Sequence, residues 1–427
     1  MCLSEQYVSC NVENFSLRPF CSLVIKDFRE AIAGCSWLEK SFLIIWLMGP
    51  FFLLVERSPG DVWLTTCCLA FIVRSIWRKD FKWFEPFWVK AAFVFWIWCL
   101  FSSAVSSMPS YSVMEAIAWF RFPLFAIATV HWFARDPRVF YAMLASMAIG
   151  LIVMCGILTA EFLYFGQERN RLTWPYGDKV PGSYIAKFGS PVFVVLVAAA
   201  VSFKGHLGRL SSLFALLNIV VSVITGERIN FLIKICGGAL ALFVWKPKPV
   251  RIVSIISVTL SLISITLYLL PDLFDRFVYH LAKGASSFTE SGWLHAINGG
   301  IVAWKESPII GIGLGNYRHL AESLLQGQNY VSVQPHPHNY YVQLLCETGL
   351  IGLIFGFIFF SAIILECSKY ARQKKNIVTA SAWIVPLAIF WPLQTNADLF
   401  GQWNNLFAWP AIAVALAAKN LHLSVEF

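Results

Sequence analysis

The sequence predicts an all-α polytopic membrane protein with about twelve transmembrane helices. Of its 427 residues, 58% are hydrophobic and 13% are charged, and the mean hydropathy is +0.65. A soluble domain carries about 25% charged residues, because it must cover its surface with groups that hold water. Apolar runs also recur along most of the chain, and many reach the roughly 17 to 25 residues that a helix needs to cross a bilayer. The composition therefore excludes a soluble multidomain protein.

The apolar runs give the bounds of the predicted regions. Residues 1–40 lack a basic segment followed by an apolar one, so we expect no cleaved signal peptide and a cytoplasmic or interfacial segment. Spans 1–9 are expected within residues 41–270, spans 10–12 within 340–418, and a cytoplasmic tail at 419–427. The predicted spans cover residues 41–55, 61–77, 88–104, 113–133, 139–160, 183–203, 210–225, 229–245, 252–270, 340–365, 378–393 and 403–418.

Lysine and arginine residues in the connections predict the orientation. The connections after spans 2, 4, 6, 8 and 10 each carry at least two basic residues, as in KPKPVR at 246–251. Such residues concentrate on the cytoplasmic side, so we expect both termini in the cytoplasm and the connections after odd-numbered spans outside. These connections also account for the net charge of +9, and no nucleic-acid partner is expected.

One connection, residues 271–339, is far longer than the others. Two stretches within it, WLHAINGGIVAW and NYRHLAESLLQ, have apolar residues at helical spacing. Gly311, Gly313 and Gly315 indicate a turn between them. Long loops are usually functional, so we expect a folded external cap built from amphipathic helices.

Two arginines lie in apolar surroundings. Arg228 follows Glu227 in TGER between spans 7 and 8, which predicts a tight outer hairpin. Its guanidinium either extends to the membrane boundary or binds an anion through forked hydrogen bonds to phosphate. Arg121 lies inside span 4, where charges are costly. It faces a polar cavity, pairs with a carboxylate such as Glu115, or reaches the membrane interface.

The polar sequence SVQPHPHNYYVQLLCETGL, residues 332–350, precedes span 10. His336, His338, Asn339 and Tyr340 are expected at the outer surface, with Glu347 about two turns into the span. A metal site needs further ligands at familiar spacing, so we expect no metal and no cofactor. Either the histidines are interfacial parts of a proline-shaped turn, or a neutral imidazole accepts a proton from a hydroxyl nucleophile.

The last external connection, QTNADLFGQWNN, contains Asp398 and the asparagines Asn396, Asn404 and Asn405. These side chains either bind sugar hydroxyls or hold the loop together. The second interpretation is favoured.

These motifs together resemble the O-antigen ligase and polymerase family of bacterial inner membranes. The family signature is a histidine followed by Asn or Ser, then a short apolar stretch ending in Glu-x-Gly-Leu-x-Gly. Its counterparts here are His338, Asn339, Glu347, Gly349, Leu350 and Gly352. SPIIGIGLGNY, residues 307–317, is similar to the family's Pro-x-x-Gly-x-Gly segment, and the hairpin arginine and span count also agree.

The resemblance implies a GT-C-like, metal-independent glycosyltransferase that uses a glycan on undecaprenyl diphosphate at the periplasmic side. By this resemblance Arg228 binds the donor diphosphate and His338 activates the acceptor hydroxyl. A ligase transfers the glycan to lipid A core, and membrane lipids surround the protein. Further candidates for the donor diphosphate are Arg121, Arg318 and Arg276, and supporting or acceptor-side candidates are His336, Asn339, Tyr340, Glu347 and His295.

The sequence departs from the family pattern at two positions. Glu227 stands where a serine usually precedes the hairpin arginine, and Trp293 stands where a second arginine is common. A tryptophan cannot neutralise phosphate, so His295, Arg276 or Arg318 is expected to replace that contact unless it is absent.

Three alternatives to a ligase remain open. A polymerase or a protein O-oligosaccharyltransferase shares the donor and the chemistry. A polytopic transporter or flippase belongs to a different class, which often shows internal repeats with broken helices in matching halves. No convincing repeat is present in this sequence.

Overall fold

The structure is a computed structural model that describes residues 17–166, 171–177, 181–245, 247–279, 292–326, 334–373, 376–392 and 398–423. Over these ranges the chain is helical and contains no strand. Large apolar side chains are exposed along many of the helices, as expected for surfaces that face lipid. The chain is an all-α, multi-pass membrane protein, which confirms the predicted fold class.

The α-helices are numbered in chain order over the described ranges. They are α1 (Leu17–Ile32), α2 (Trp37–Leu47), α3 (Gly49–Val55), α4 (Arg57–Arg78), α5 (Phe87–Ala104), α6 (Pro109–Trp119), α7 (Arg121–Ala128), α8 (Pro137–Phe165), α9 (Pro181–Ser183), α10 (Ser190–Ser202), α11 (Gly205–Ile224), α12 (Arg228–Trp245), α13 (Pro249–Leu269), α14 (Pro271–Phe274), α15 (Gly292–Glu306), α16 (Tyr317–Leu324), α17 (Tyr340–Ser368), α18 (Ile377–Ser381), α19 (Ile384–Ile389), α20 (Gln402–Ala417) and α21 (Asn420–Leu423). Three π-helical segments, Thr129–Phe133, Tyr184–Phe188 and Asp275–Tyr279, extend α7, α9 and α14.

Eight helices among the described residues are long and apolar enough to cross a membrane, or up to ten if two bent pairs each count as one span. The bent pairs are α2 with α3, at 49°, and Pro181–Phe188 with α10, at 54°. The eleventh and twelfth predicted spans coincide with shorter helices, α18 with α19 and then α20. The count of twelve and the sidedness of the connections stay predictions.

Helix α20 lies in the interior of the protein. Its residues from Asn404 to Ala417 are all buried, and it packs against α4, α7 and the π-helical segment Tyr184–Phe188. Asn405 accepts a hydrogen bond of 2.9 Å from the indole N–H of Trp409 one turn later. Asn404 and Asn405 thus lie in a buried helix rather than in the predicted loop, while Asn396 lies outside the described residues.

Both amphipathic helices predicted between spans 9 and 10 are present, as α15 and α16. The turn between them has φ values of +86°, +95° and +72° at Gly311, Gly313 and Gly315, a conformation that favours glycine. A Cβ at Gly313 would lie 2.5 Å from Cβ of Ser106, so this turn also needs glycine for close packing. Residues 280–291 and 327–333 of the predicted cap lie outside the described residues.

Candidate functional site

The predicted hairpin between α11 and α12 is present. α11 ends at Ile224 and α12 begins at Arg228, so three residues, Thr225 to Glu227, connect the helices. Gly226 has a φ of +70°, which the tight turn requires. The Arg228 side chain is exposed at the first position of α12, where the helix dipole adds partial positive charge. The hairpin therefore presents positive charge to an anion.

Glu227 is buried inside this hairpin. The Gly182 N–H donates to its carboxylate at 3.1 Å, and the Asn230 amide donates to the second oxygen. A Cβ at Gly182 would lie 2.7 Å from the carboxyl carbon, so this contact requires glycine. Burial raises the pKa of Glu227 to about 7, although the Gly182 N–H, Arg171 and Lys187 each lower it. The carboxyl group is thus only partly ionised at neutral pH.

Three arginines meet at the hairpin, and we call Arg171, Arg228 and Arg276 the arginine cluster. The Nε of Arg276 donates to the Gly226 carbonyl at 2.5 Å. The N–H of Leu172 donates to the Thr225 carbonyl of the hairpin at 3.3 Å. This hydrogen bond holds the preceding residue, Arg171, near the hairpin. Burial, followed by Arg171 and Arg228, lowers the pKa of Arg276 to about 10. The guanidinium remains charged at neutral pH, and three like charges lie close enough to repel one another.

Buried Glu161, at the end of α8, fixes the segment that carries Arg171. Its carboxylate accepts hydrogen bonds from the backbone N–H groups of Thr173 at 2.9 Å and Trp174 at 2.7 Å. A charged acceptor makes such hydrogen bonds stronger than neutral ones. The segment 171–177 is therefore anchored on both sides, to α8 and to the hairpin.

The second part of the site is residues 334–339, which we call the histidine loop. His338 has a φ of +55°, and its Nε2 lies 3.3 Å from the side-chain oxygen of Gln334. The ring centroids of His336 and His338 are 4.2 Å apart. Burial, followed by His338, lowers the pKa of His336 to about 4, so His336 is neutral at neutral pH. Within the described ranges, no group of three His, Cys, Asp or Glu residues is arranged to hold a metal ion.

Asn339 joins the histidine loop to the start of α17. Its side-chain oxygen accepts from the N–H groups of Tyr341 at 3.0 Å and Val342 at 3.2 Å, which caps the helix. Its amide nitrogen donates to the Pro392 carbonyl at 2.7 Å. The residue that follows His338 is thus fixed to two separate segments.

A polar network lies between the cap helices and α17. The Gln343 amide nitrogen lies 2.6 Å from one Asp398 oxygen and 3.4 Å from a Glu347 oxygen, while its own oxygen accepts from the Leu399 N–H at 2.8 Å. Arg318 forms an ion pair of 2.5 Å with the other Asp398 oxygen. The charge of Arg318 is therefore compensated within the protein, and buried Glu347 supports the network.

Lys187 lies between the arginine cluster and the histidine loop. Its Nζ donates to the side-chain oxygen of Asn404 at 2.6 Å, and the Asn404 amide donates to the Tyr340 hydroxyl at 2.6 Å. The positive charge of Lys187 lowers the pKa of Glu227 on one side and of His336 on the other. The segment 181–188 thus contacts the hairpin through Gly182 and, through Lys187 and Asn404, is linked to Tyr340 at the end of the histidine loop.

Residues 213–357 match the family model described as O-antigen ligase. We refer to this matched region as the O-antigen ligase domain, after the family model to which it is similar. The match begins within α11 and ends within α17, so it includes the hairpin and the histidine loop. It confirms the resemblance to the O-antigen ligase and polymerase family, whose members are glycosyltransferase-like. No curated protein matches the chain.

The site extends beyond the O-antigen ligase domain. Residues of the domain that belong to the candidate site are Arg228, Arg276, Arg318, His336, His338, Asn339, Tyr340 and Glu347. Residues outside it are Arg171, Lys187, Asp398 and Asn404. Arg171 and Lys187 are not among the site residues predicted from the sequence. Lys187 carried a usable signal, because it is an isolated charge in an apolar run, whereas Arg171 had none that separated it from its neighbours.

Two other candidates predicted from the sequence, Arg121 and His295, lie outside the arginine cluster and the histidine loop. Arg121, outside the O-antigen ligase domain, forms an ion pair of 2.9 Å with Asp61 rather than with Glu115. His295 lies inside the domain on α15, near its start, together with Trp293. Both of these side chains are half-buried, and α15 packs against α17.

Proposed function

We propose that the protein is a metal-independent glycosyltransferase that transfers a glycan from undecaprenyl diphosphate to a sugar hydroxyl of lipid A core. The observation that carries this proposal is the combination of an arginine cluster and a histidine loop in one site. A diphosphate donor requires cations, and a hydroxyl acceptor requires a base. The O-antigen ligase domain supports the same reaction class.

The arginine cluster is the proposed donor site. Guanidinium groups form forked, charge-assisted hydrogen bonds with phosphate oxygens. Arg171 and Arg276 supply the positive charge that Trp293 cannot, and Arg228 contributes from the helix N-terminus. Arg318 and Arg121 each already pair with a carboxylate, so we do not assign them to the diphosphate.

His338 is the proposed base. Its imidazole accepts the proton of the acceptor hydroxyl while the hydroxyl oxygen bonds to the anomeric carbon of the donor glycan. The bond between that carbon and the diphosphate oxygen breaks, and the diphosphate leaves with its charge neutralised by the arginine cluster. Asn339 and Tyr340 fix the end of the loop, and His336 stays neutral beside the base.

The positive-inside pattern supports the orientation, and the similarity to the O-antigen ligase family supports the choice of membrane. We propose that the protein lies in the bacterial inner membrane with both termini in the cytoplasm and the site on the periplasmic side. The donor glycan, lipid A core and the surrounding lipids are the proposed partners, and the reaction as written needs no cofactor.

Lipopolysaccharide from a deletion strain tests the function. A ligase predicts loss of the whole O-antigen ladder, with polymer retained on the carrier lipid. A core that carries a single repeat would instead identify a polymerase, and loss of glycan from a protein with an intact ladder would identify a protein O-oligosaccharyltransferase. Failure of the lipid-linked glycan to reach the periplasm would identify a flippase.

A further inference from the structure

Arg74 lies one turn before the end of α4, in a part of the protein that the proposed function does not use. Its side chain is 16% exposed, and its Nε is buried without a hydrogen-bond partner among the described residues. A buried donor on a charged group is costly when no acceptor meets it. An arginine at this position therefore calls for an acceptor that these residues do not supply.

The carboxylate nearest to Arg74, that of Glu39 on α2, already has other partners. One Glu39 oxygen lies 2.6 Å from the Arg78 guanidinium and 3.9 Å from the Nε of Arg74, and the second distance is too long for a hydrogen bond. The other Glu39 oxygen accepts from the backbone N–H and the hydroxyl of Ser36, both at 3.3 Å, in the capping box of α2. Arg74 is thus the arginine that this carboxylate leaves over.

The indole of Trp132 orients the Arg74 guanidinium. The central guanidinium carbon lies 5.2 Å from the ring centroid of Trp132, which is a cation–π contact. The same ring stacks on Phe133, with the centroids 4.3 Å apart. The π-helical segment Thr129–Phe133 therefore holds the guanidinium in place on one side and leaves its N–H groups to bind an acceptor.

The other charges near Arg74 leave an excess of positive charge. Asp80 attracts the guanidinium, whereas Arg78 and Arg135 repel it. Three arginines thus face two carboxylates, those of Glu39 and Asp80. An anion that binds here would meet a positive charge that the protein itself does not neutralise.

Two exposed tryptophans indicate the depth of this group in the membrane. Trp77 on α4 is 85% exposed, and Trp37 at the start of α2 is 77% exposed. Exposed tryptophans of membrane proteins concentrate at the level of the lipid headgroups. Trp77 directly precedes Arg78, and Trp37 stands two residues before Glu39. The anion that is available at this depth is the phosphate of a phospholipid.

We propose a binding site for the phosphate group of an anionic phospholipid at this end of α4. We call it the headgroup site, and it consists of Arg74, Arg78, Glu39 and Trp132. The Arg74 guanidinium donates forked hydrogen bonds to the phosphate oxygens, and Glu39 limits the affinity because it competes with the phosphate. Basic pockets between transmembrane helices bind such headgroups. The headgroup site takes no part in glycan transfer, so it stands independently of the proposed function.

Photo-crosslinking of the full chain in vesicles tests the proposal. The vesicles consist of phosphatidylethanolamine with a rising fraction of phosphatidylglycerol that carries a photoreactive group at the headgroup end of one acyl chain. Crosslinks to α2 and to the end of α4 are quantified by peptide mass spectrometry. They are expected to saturate as the fraction of phosphatidylglycerol rises, whereas phosphatidylethanolamine with the same photoreactive group is expected to give only a linear background.

Two variants are expected to act in opposite directions. Arg74→Gln removes the proposed donor and should raise the phosphatidylglycerol fraction at half-saturation about tenfold, the size expected for the loss of a hydrogen bond to a charged group. Glu39→Gln removes the competing charge and should lower that fraction. A glutamine at position 39 can still complete the capping box of α2, so this variant is expected to keep its fold.

The matched controls are Arg138→Gln and Asp136→Asn. Arg138 belongs to the same basic connection as Arg135, but its guanidinium donates to its own carboxylate partner, Asp136, at 2.8 and 3.1 Å. Asp136 caps α8, and asparagine is an equally good cap. These variants change the charge by the same amounts outside the headgroup site. Both are expected to leave half-saturation unchanged.

The outcomes decide whether a specific headgroup site exists. Opposite shifts in Arg74→Gln and Glu39→Gln that are absent from both controls support it. Equal shifts in the controls overturn it, because overall charge alone would then attract the lipid. Unshifted half-saturation in folded Arg74→Gln also overturns it, and so does displacement of the lipid by millimolar inorganic phosphate, which would identify a site for free phosphate. If Arg74→Gln does not fold, Glu39→Gln compared with Asp136→Asn decides in the same way.

Discussion

The Nε of Arg276 donates a hydrogen bond of 2.5 Å to the carbonyl oxygen of Gly226. This bond joins the segment that follows α13 to the hairpin between α11 and α12. Fifty residues separate the two partners in sequence, yet the contact brings Arg276 beside Arg228. Trp293 stands where the family commonly has a second arginine. Arg276 thus supplies a second positive charge from another segment.

Removal of Arg276 or Arg171 is expected to weaken donor binding. Hydrogen bonds to charged groups contribute about 1.5 to 3 kcal/mol, so Arg276→Met and Arg171→Met should each raise the KM for the lipid diphosphate at least about tenfold. The matched control is Arg251→Met. Like Arg276, Arg251 donates to backbone carbonyls, in its case two, at 2.7 and 3.2 Å. It lies at the opposite end of α13 from Arg276.

The control distinguishes loss of an anion-binding group from loss of a hydrogen bond that only holds the backbone. We expect Arg251→Met to leave the donor KM unchanged. Equal changes in all three variants, or unchanged values for both cluster arginines, would exclude the arginine cluster as the diphosphate site.

Glu227 predicts a pH dependence of stability. Burial raises its pKa from 4.5 to about 7, so the fold favours the neutral form. Its contribution to stability is complete below the unfolded value and is lost as the pH rises through about 7. The wild type should therefore lose thermal stability between about pH 5 and pH 8, and Glu227→Gln should lose less. Parallel melting curves for the two proteins over this range would contradict the assignment.

Replacement of Asn339 is expected to lower activity in addition to stability. Removal of an asparagine N-cap costs about 1 kcal/mol. Asn376 is a matched control, because it caps α18 by accepting from the Val378 N–H at 2.8 Å and its amide donates to the Tyr141 hydroxyl. We expect Asn339→Ala and Asn376→Ala to lower Tm similarly, and only Asn339→Ala to lower kcat. Wild-type kcat in folded Asn339→Ala would remove its role in placing His338.

The sidedness of the cap is tested by cysteine labelling. Gly313 is unsuitable because a side chain there would collide with Ser106, whereas Glu322 on α16 is exposed. After the labelling of the native cysteines is subtracted, Glu322→Cys should react with an impermeant maleimide added from the periplasmic side. Lys248→Cys, on an exposed basic connection, should react only after the inner membrane is permeabilised. The reverse pattern would invert the topology.

Hydrophobic runs predicted the helical segments well, because span length depends on local composition. The hairpin at Arg228 followed from its short connection, and α15 and α16 from apolar spacing. The pairing of Arg318 with Asp398 joins residues 80 positions apart. The position of Arg171 near the hairpin depends on hydrogen bonds that Glu161 and the Leu172 backbone make. Such contacts arise from tertiary packing, which a single sequence does not reveal.

Two residues with the same sequence signal reached different environments. Arg121 and Lys187 are both isolated charges in apolar runs. The structure places Arg121 beside a carboxylate, Asp61, and Lys187 beside a neutral amide. The sequence could identify both charges as unusual. Only the packing of α20 against the Tyr184–Phe188 segment shows that the hydrogen-bond acceptor of Lys187 is an amide rather than a carboxylate.

Glycan transfer by purified protein tests the central claim most directly. The assay combines protein, glycan on undecaprenyl diphosphate and rough lipopolysaccharide, in the presence of a chelator. We predict that the wild type produces glycan-bearing lipopolysaccharide, and that folded His338→Ala and Arg228→Ala produce none above background. Wild-type transfer by either variant, or a wild-type reaction abolished by the chelator and restored by metal, would contradict the account.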